Sequence, residues 1–336
     1  MDIYKVVFTG GPCSGKSKTV SEMKKRLEED GYDVVLVSET ARELDEYRKG
    51  LYNNNKDVKL YQQMILDFQS LKESCAYIYA KNIYYLKPIV ILFDRAILDN
   101  RAYLENDEIF DNMLSKKGLN EIEIANSYDL VINFISLSSL RPDLYRSDNE
   151  RIEDTKAAAE LDRKTSEAWM TSENMIIIKP TDNINEKYNT VYKQIKDLIN
   201  NKVYKKEYDA VYNISDISQY GHIKNTKTVN IDEYMVKAHE LCKLRKIGYK
   251  DNNAYLLRKI IIDEEGSVIE CRNKSISEST FNYILENSEL KENKSYQRLN
   301  YIDDNFDLVR VNYNDQMEKA IDDNNLCLVL KKQDMC

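Results

Sequence analysis

The chain has 336 residues, of which only nine are glycine and four proline, so collagen-like and Pro/Gly-rich low-complexity classes are excluded. A hydrophobic share of 42% with 25 tyrosines supplies enough apolar surface for real cores and argues against wholesale disorder. The net charge of −8 leaves no basic surplus for general nucleic-acid binding, and scattered cysteines with two histidines are a poor basis for a zinc site.

The first two hundred residues alternate strand and helix. Lys5–Thr9 is a short apolar strand, and Val20, Met23 and Leu27 give the following segment, Lys16 to about Asp30, a buried helical stripe that Gly31 ends. Val34–Val37 reads as a second strand, and a long helical pattern spans Asp57 to Leu86, stopped before Pro88. Ile89–Phe93 is apolar throughout, as a fully buried strand must be. Leu130–Ile135 and Met175–Ile178 are further strands, and Asn185–Asn200 is an amphipathic helix. Continuous apolar strands alternating with helices specify an α/β, doubly wound parallel sheet over residues 1–202. Ligands on such sheets bind at the carboxyl ends of the strands, where Thr9, Glu39, Asp94 and Ser136 fall.

The strongest motif is GGPCSGKS: Gly10, Gly11, Pro12, Cys13, Ser14, Gly15, Lys16 and Ser17 fit GxxxxGK[ST] between a strand and a helix. Backbone N–H groups there can wrap a phosphate, and the helix N-terminus adds positive potential. Lys16 is the ligand for the outer phosphates of ATP or GTP, and Ser17 with Asp94 is the candidate Mg²⁺ pair. Glu39 and Arg42, in SETAR, face the same crevice: a carboxylate to take a proton from an acceptor hydroxyl and a cation to grip an anion. A helix cap with a surface ion pair is the competing reading of those two. Arg141, Arg146 and Arg151 surround a loop leading into a helix, either as a mobile segment that shields charge developing in phosphoryl transfer or as a solvated charged segment.

The second half reads differently. Thr228–Val236, Tyr255–Ile262, Ser267–Arg272, Leu308–Tyr313 and Leu326–Leu330 are strand-like, and Glu278–Glu286 is a helix capped by Ser277. The expectation is a mainly antiparallel β domain over 203–336, with charges on alternate strand positions gathered on one face.

On GGPCSGKS, SETARE, FDRAILDNRAYL and the DxxRxE set of Asp148, Arg151 and Glu153, residues 1 to about 200 resemble the AAA-type P-loop domain of ribosylnicotinamide kinases of the NadR kind and of TRPL-translocation-defect proteins. The Asp94-Arg95 pair after a buried strand is also similar to that of deoxynucleoside kinases. The resemblance implies Glu39 as base, Arg95 as phosphate ligand and the arginine-rich segment, with Arg146 and Arg151, as a lid.

The stretch from Leu244 to Leu285 resembles the CYTH (triphosphate tunnel) domain, a barrel, with Arg245, Arg258 or Lys259, Glu270, Arg272 and, on a later strand, Arg310 as candidates for a phosphorylated ligand. It departs from that family at Glu207–Val211, where the opening lysine is missing, and lacks evident late acidic metal ligands, which sets a metal-dependent triphosphatase last. Two functions lead. One is an Mg²⁺-dependent phosphotransferase using ATP or GTP on a small acceptor, with nucleosides as one option. The other is a nucleotide-regulated protein that binds a phosphorylated ligand such as a phosphoinositide or polyphosphate. A cytoplasmic setting is expected, with no transmembrane segment and peripheral lipid contact left open.

Overall fold

The computed structural model describes residues 2–47, 57–83, 87–145, 154–200, 209–214, 225–237, 241–262, 268–313 and 326–331. Two compact units result, one of 1–124, 128–169 and 175–199, the other of 125–127, 170–174 and 200–336.

In the first unit, β1 (Ile3–Gly10), β2 (Asp33–Val37), β3 (Ile89–Asp94), β4 (Leu130–Phe134) and β5 (Met175–Ile178) form a parallel sheet in the order β2-β3-β1-β4-β5. The helices are α1 (Lys16–Glu29), α2 (Thr40–Tyr47), α3 (Val58–Asn82), α4 (Asp107–Ser115), α5 (Glu121–Asn126, whose last two residues belong to the second unit), α6 (Leu137–Leu140), α7 (Thr155–Ala168) and α8 (Ile184–Ile199). Side chains alternate across a strand, so each apolar strand feeds two cores. Tyr4, Val6, Phe8, Ile132 and Phe134 pack with Val20, Met23 and Leu27 of α1 and Val191 and Ile195 of α8. Val7, Ile91 and Val131 point the other way and are equally buried, while α7 packs on β1 and α3 on β2 and β3. The burial of all of β3 explains why its sequence shows no polar alternation.

α3 begins as expected, with the Asp57 side chain accepting from Leu60 N at 3.0 Å, but it stops at Asn82 rather than Leu86. Ile83 has extended backbone (φ −85°, ψ 139°), which cannot continue the helical ladder. No described helix is long and apolar enough to cross a membrane.

The second unit is built on an eight-stranded antiparallel sheet of β6 (Asp209–Ile214), β7 (Lys227–Lys237), β8 (Leu241–Tyr249), β9 (Asn252–Ile262), β10 (Val268–Ile276), β11 (Glu289–Ile302), β12 (Leu308–Tyr313) and β13 (Leu326–Lys331). Its order is β10-β9-β8-β7-β11-β12-β13-β6, and no pairing joins β10 to β6 among the described residues, so the expected barrel is not closed by a ladder there. α9 (Glu278–Glu286) starts at Ser277, whose hydroxyl accepts from Thr280 N at 3.2 Å. Phe281 of α9 packs with Val236, Leu244 and Tyr255, giving one face of the sheet an apolar cover. The register puts a different set on the opposite face: Val229, Ile231 and Glu233 of β7, Lys243 and Arg245 of β8, Leu256 and Arg258 of β9, Tyr296 and Arg298 of β11, and Arg310 of β12.

Candidate functional site

The loop between β1 and α1 is shaped by what surrounds each glycine. Gly10 has φ 130°, and a Cβ there would stand 2.0 Å from the Phe134 carbonyl oxygen. Gly11 abuts Asp162 of α7, whose Cβ would lie 2.5 Å from an added methyl. Gly15 caps α1 in left-handed backbone, φ 81°. Cys13 is left-handed too, at φ 56°, a strained conformation for a residue with a side chain. Two of the motif's three glycines thus serve packing of the loop as well as approach to a phosphate.

Asp162 accepts from Gly11 N at 2.7 Å, Ser136 N at 2.9 Å and Ser139 Oγ at 2.6 Å. Ser136 Oγ in turn donates to the Pro12 carbonyl, which fastens the loop to the end of β4. Lys187 of α8 donates to Ser14 O at 2.9 Å from the other side. The loop is therefore held at Gly11 and Pro12 by α7 and the end of β4, and at Ser14 by α8.

Lys16 turns back on the loop, with Nζ donating to Gly10 O at 2.7 Å, Gly11 O at 2.6 Å and Ser14 Oγ at 3.1 Å. Burial and the nearby Arg95 guanidinium push its pKa down to about 7, against the pull of Glu39, Asp94 and Asp99. Those electrostatic partners define the crevice: three carboxylates and a guanidinium from the ends of β2 and β3 lie around the lysine.

Arg95 sits in left-handed backbone, φ 70°, with its N–H donating to Phe8 O at 3.0 Å. From there Nε donates to Glu39 Oε1 at 2.8 Å and Nη1 to Asp99 Oδ1 at 3.4 Å, while the guanidinium lies 5.7 Å from the Tyr103 ring centre. Burial opposes ionisation of Glu39, but Arg95 and Lys16 outweigh it and hold the carboxyl below its usual range. Arg42 is more exposed and stands 3.8 Å from Glu39. Glu39 is thus paired with Arg95 on one side and with the more exposed Arg42 on the other.

Asp94 is raised above the usual carboxylate range, by burial first and by Glu39 second, with a hydrogen bond from Ser17 working the other way. Its Oδ1 is buried without a hydrogen-bond partner. A carboxylate joined to the motif serine, carrying an orphaned buried oxygen, fits a divalent cation. Among the described residues no three His, Cys, Asp or Glu side chains group as a metal site; Mg²⁺ at a phosphate site uses one or two carboxylates together with phosphate oxygens and water.

An AAA domain family model matches residues 5–187. The chain belongs to the AAA domain family. The match spans the whole parallel sheet and the loop just described, so this AAA domain is a P-loop nucleotide-binding domain. No curated protein matches the chain.

Of the other expected residues, Arg146, Arg151, Asp148 and Glu153 lie outside the described residues, as do Glu207 and Tyr208. Arg141 is half-exposed and pairs with Asp182 at 3.2 Å. In the second unit Arg258 shares a face with Arg245, and Lys259 sits opposite Cys242 on the other face. Glu270 and Arg272 lie opposite Ile261 and Lys259 in the β9–β10 register, and their side chains are outside the description. Asp99, Asp162 and Lys187 of the AAA domain, and Glu173 and Arg298 of the second unit, were not singled out in the sequence. Asp99 was within reach, being the last acid of DRAILD on the turn after β3.

Proposed function

We propose that the AAA domain is an Mg²⁺-dependent phosphotransferase that moves the γ-phosphoryl group of ATP or GTP to the hydroxyl of a small acceptor, with nucleosides the first class to try. The observation that carries this reading is the Glu39–Arg95 pair held beside Lys16, a proton acceptor and an anion ligand where a nucleotide's outer phosphates meet a second substrate.

In this reading the acceptor hydroxyl attacks the γ-phosphorus, the bond to the bridging oxygen breaks, and the nucleoside diphosphate departs. Glu39, kept ionised by Arg95, orients the hydroxyl and takes its proton late, as suits a loose transition state in which little charge builds on the nucleophile. Lys16 and Arg95 spread positive charge over the transferring group. Ser17 and Asp94 would hold Mg²⁺, which neutralises charge on the phosphate oxygens. Incubation with labelled ATP or GTP and a nucleoside panel tests the proposal: a labelled nucleoside monophosphate supports it, and none with any acceptor counts against it.

A second reading is favoured by the arginine-bearing face of the second unit, which suits a phosphorylated ligand such as a polyphosphate or phosphoinositide, with the AAA domain as nucleotide-dependent control. Here nucleotide would alter affinity for that ligand with no transfer.

A further inference from the structure

Glu39 lies between two residues that α3 holds. Lys72 Nζ donates to Ser38 O at 2.7 Å, and Thr40 Oγ1 donates to Gln69 Oε1. Gln69 is buried, and its Nε2 donates to the Arg95 carbonyl at 3.2 Å and to Glu73 Oε1 at 2.8 Å. Residues 69, 72 and 73 stand three and four apart in one helix, so they share a face, and from it they reach the segments that follow β2 and β3. Gln69 alone of the three bonds on both sides of the site: it holds the residue after Glu39 and the backbone of Arg95.

Its amide has one orientation. Glu73 Oε2 accepts from the Tyr128 hydroxyl at 2.7 Å, and the same carboxylate takes the Ile97 N–H. Surrounded by donors, Glu73 accepts, so it draws the amide nitrogen of Gln69 toward itself and leaves the amide oxygen for Thr40. Both N–H bonds and the oxygen of Gln69 are then committed.

Arg95 depends on such support. Its φ of 70° is a conformation that a residue with a side chain keeps only where its surroundings hold it. Phe8 O takes its N–H at 3.0 Å and Gln69 binds its carbonyl, which pins the residue on both sides. The guanidinium so placed meets Glu39 at 2.8 Å. A displacement of about 1 Å at either end would open that contact, and misplacement on that scale can cost about 10² in rate.

We propose that Gln69 is a positioning residue, which ties the backbone beside Glu39 to the backbone of Arg95 and thereby sets the separation of the pair. The inference rests on the phosphotransferase reading for the roles of Glu39 and Arg95, but the separation itself can be measured without any transfer.

The readout is the titration of the Glu39 carboxyl, followed by NMR in the full chain with ¹³C-labelled glutamate, its signal being identified by loss in Glu39→Gln. Glu39 faces Arg95, Lys16, Arg42 and Asp94, and Arg95 is the strongest of the charges that hold it down. Gln69→Met keeps the length of the side chain and removes all three bonds, so Glu39 should titrate at higher pH than in the wild type. Thr40→Val, a hydroxyl exchanged for a methyl, should move it the same way. Thr40→Ser keeps the hydroxyl and should leave the wild-type midpoint in place. Nucleotide affinity by calorimetry should stay within about threefold in all three, which marks an intact phosphate loop. With an acceptor that the wild type phosphorylates, Gln69→Met should lower kcat by about 10² while the nucleotide Kd holds. A Glu39 midpoint unmoved in Gln69→Met or in Thr40→Val, or moved as far by Thr40→Ser as by Thr40→Val, overturns the proposal. If Gln69→Met loses nucleotide binding, the Thr40 pair decides alone. A wild type that phosphorylates nothing ends the phosphotransferase reading, and the titration still decides whether Gln69 sets the pair.

Discussion

The Glu39 carboxylate and the Arg95 guanidinium, 56 residues apart in sequence, meet at 2.8 Å at the carboxyl ends of β2 and β3. That pairing makes the acidic side of a rate profile a test of the site. Glu39 must be ionised to accept a proton, and burial would raise its pKa were Arg95 and Lys16 not holding it down. In the wild type the acidic limb should lie below the usual glutamate value of 4.5. Arg95→Ala removes the largest opposing charge, so the limb should move to higher pH, and kcat on the plateau should fall by about 10²–10³ from lost charge stabilisation. A limb that stays in place would show that Arg95 does not set the ionisation of Glu39.

Lys16 gives a second pH dependence, on binding. Its pKa near 7 in the free loop must rise when phosphates adjoin it. Where the free lysine is neutral and the bound one charged, binding takes up a proton, so affinity should fall as pH rises above 7, by up to about tenfold per unit. Calorimetry at pH 8 in buffers of different ionisation enthalpy should show uptake approaching one proton. Zero uptake, or release, would contradict the assignment.

Asp162 joins α7 to the phosphate loop through buried N–H groups of Gly11 and Ser136. Asp162→Ala leaves both donors without that acceptor, and at about 1–3 kcal/mol for each orphaned group the AAA domain should lose about 2–6 kcal/mol of stability. Nucleotide affinity should fall with it. Thermal unfolding checks this, and an unchanged melting temperature would mean that the carboxylate's own burial costs as much as its bonds contribute.

Glu173 predicts acid sensitivity in the second unit. Burial opposes its ionisation, but Arg298 and Arg245 outweigh burial and hold it far below its ordinary 4.5. A depressed carboxylate stabilises the fold fully above the unfolded value, and that stability drains away as pH falls below about 4.5. Glu173→Gln should cost about 3–5 kcal/mol at neutral pH, because it strands buried guanidiniums, and should flatten the decline below pH 4.5. Acid titration of urea midpoints would show both. Parallel curves for wild type and variant would refute the role.

Much of this fold was legible because it is local. The strand Ile89–Phe93, the loop from Gly10 to Ser17 and the Ser277 cap each follow from a few adjacent residues, and the structure has them where the sequence puts them. β8 and β11 escaped notice for a physical reason. The first half of β11 is exposed on both sides and rich in charge, so no period of two marks it, and in β8 the adjacent Arg245 and Lys246 fall on opposite faces and break the alternation. In the site, Lys16, Ser17, Glu39, Asp94 and Arg95 could be named because a motif or a strand end marks each. Asp162 and Glu173 could not: each acts through a partner more than 70 residues away, and only the folded chain sets that distance.

The most direct measurement compares γ-phosphoryl transfer and nucleotide affinity in the same Glu39→Ala preparation, with labelled ATP or GTP and whichever acceptor the wild type phosphorylates. The account predicts transfer reduced by about 10²–10⁴ with the nucleotide Kd changed by less than about threefold. Transfer that persists at the wild-type rate, with nucleotide still bound, would contradict it.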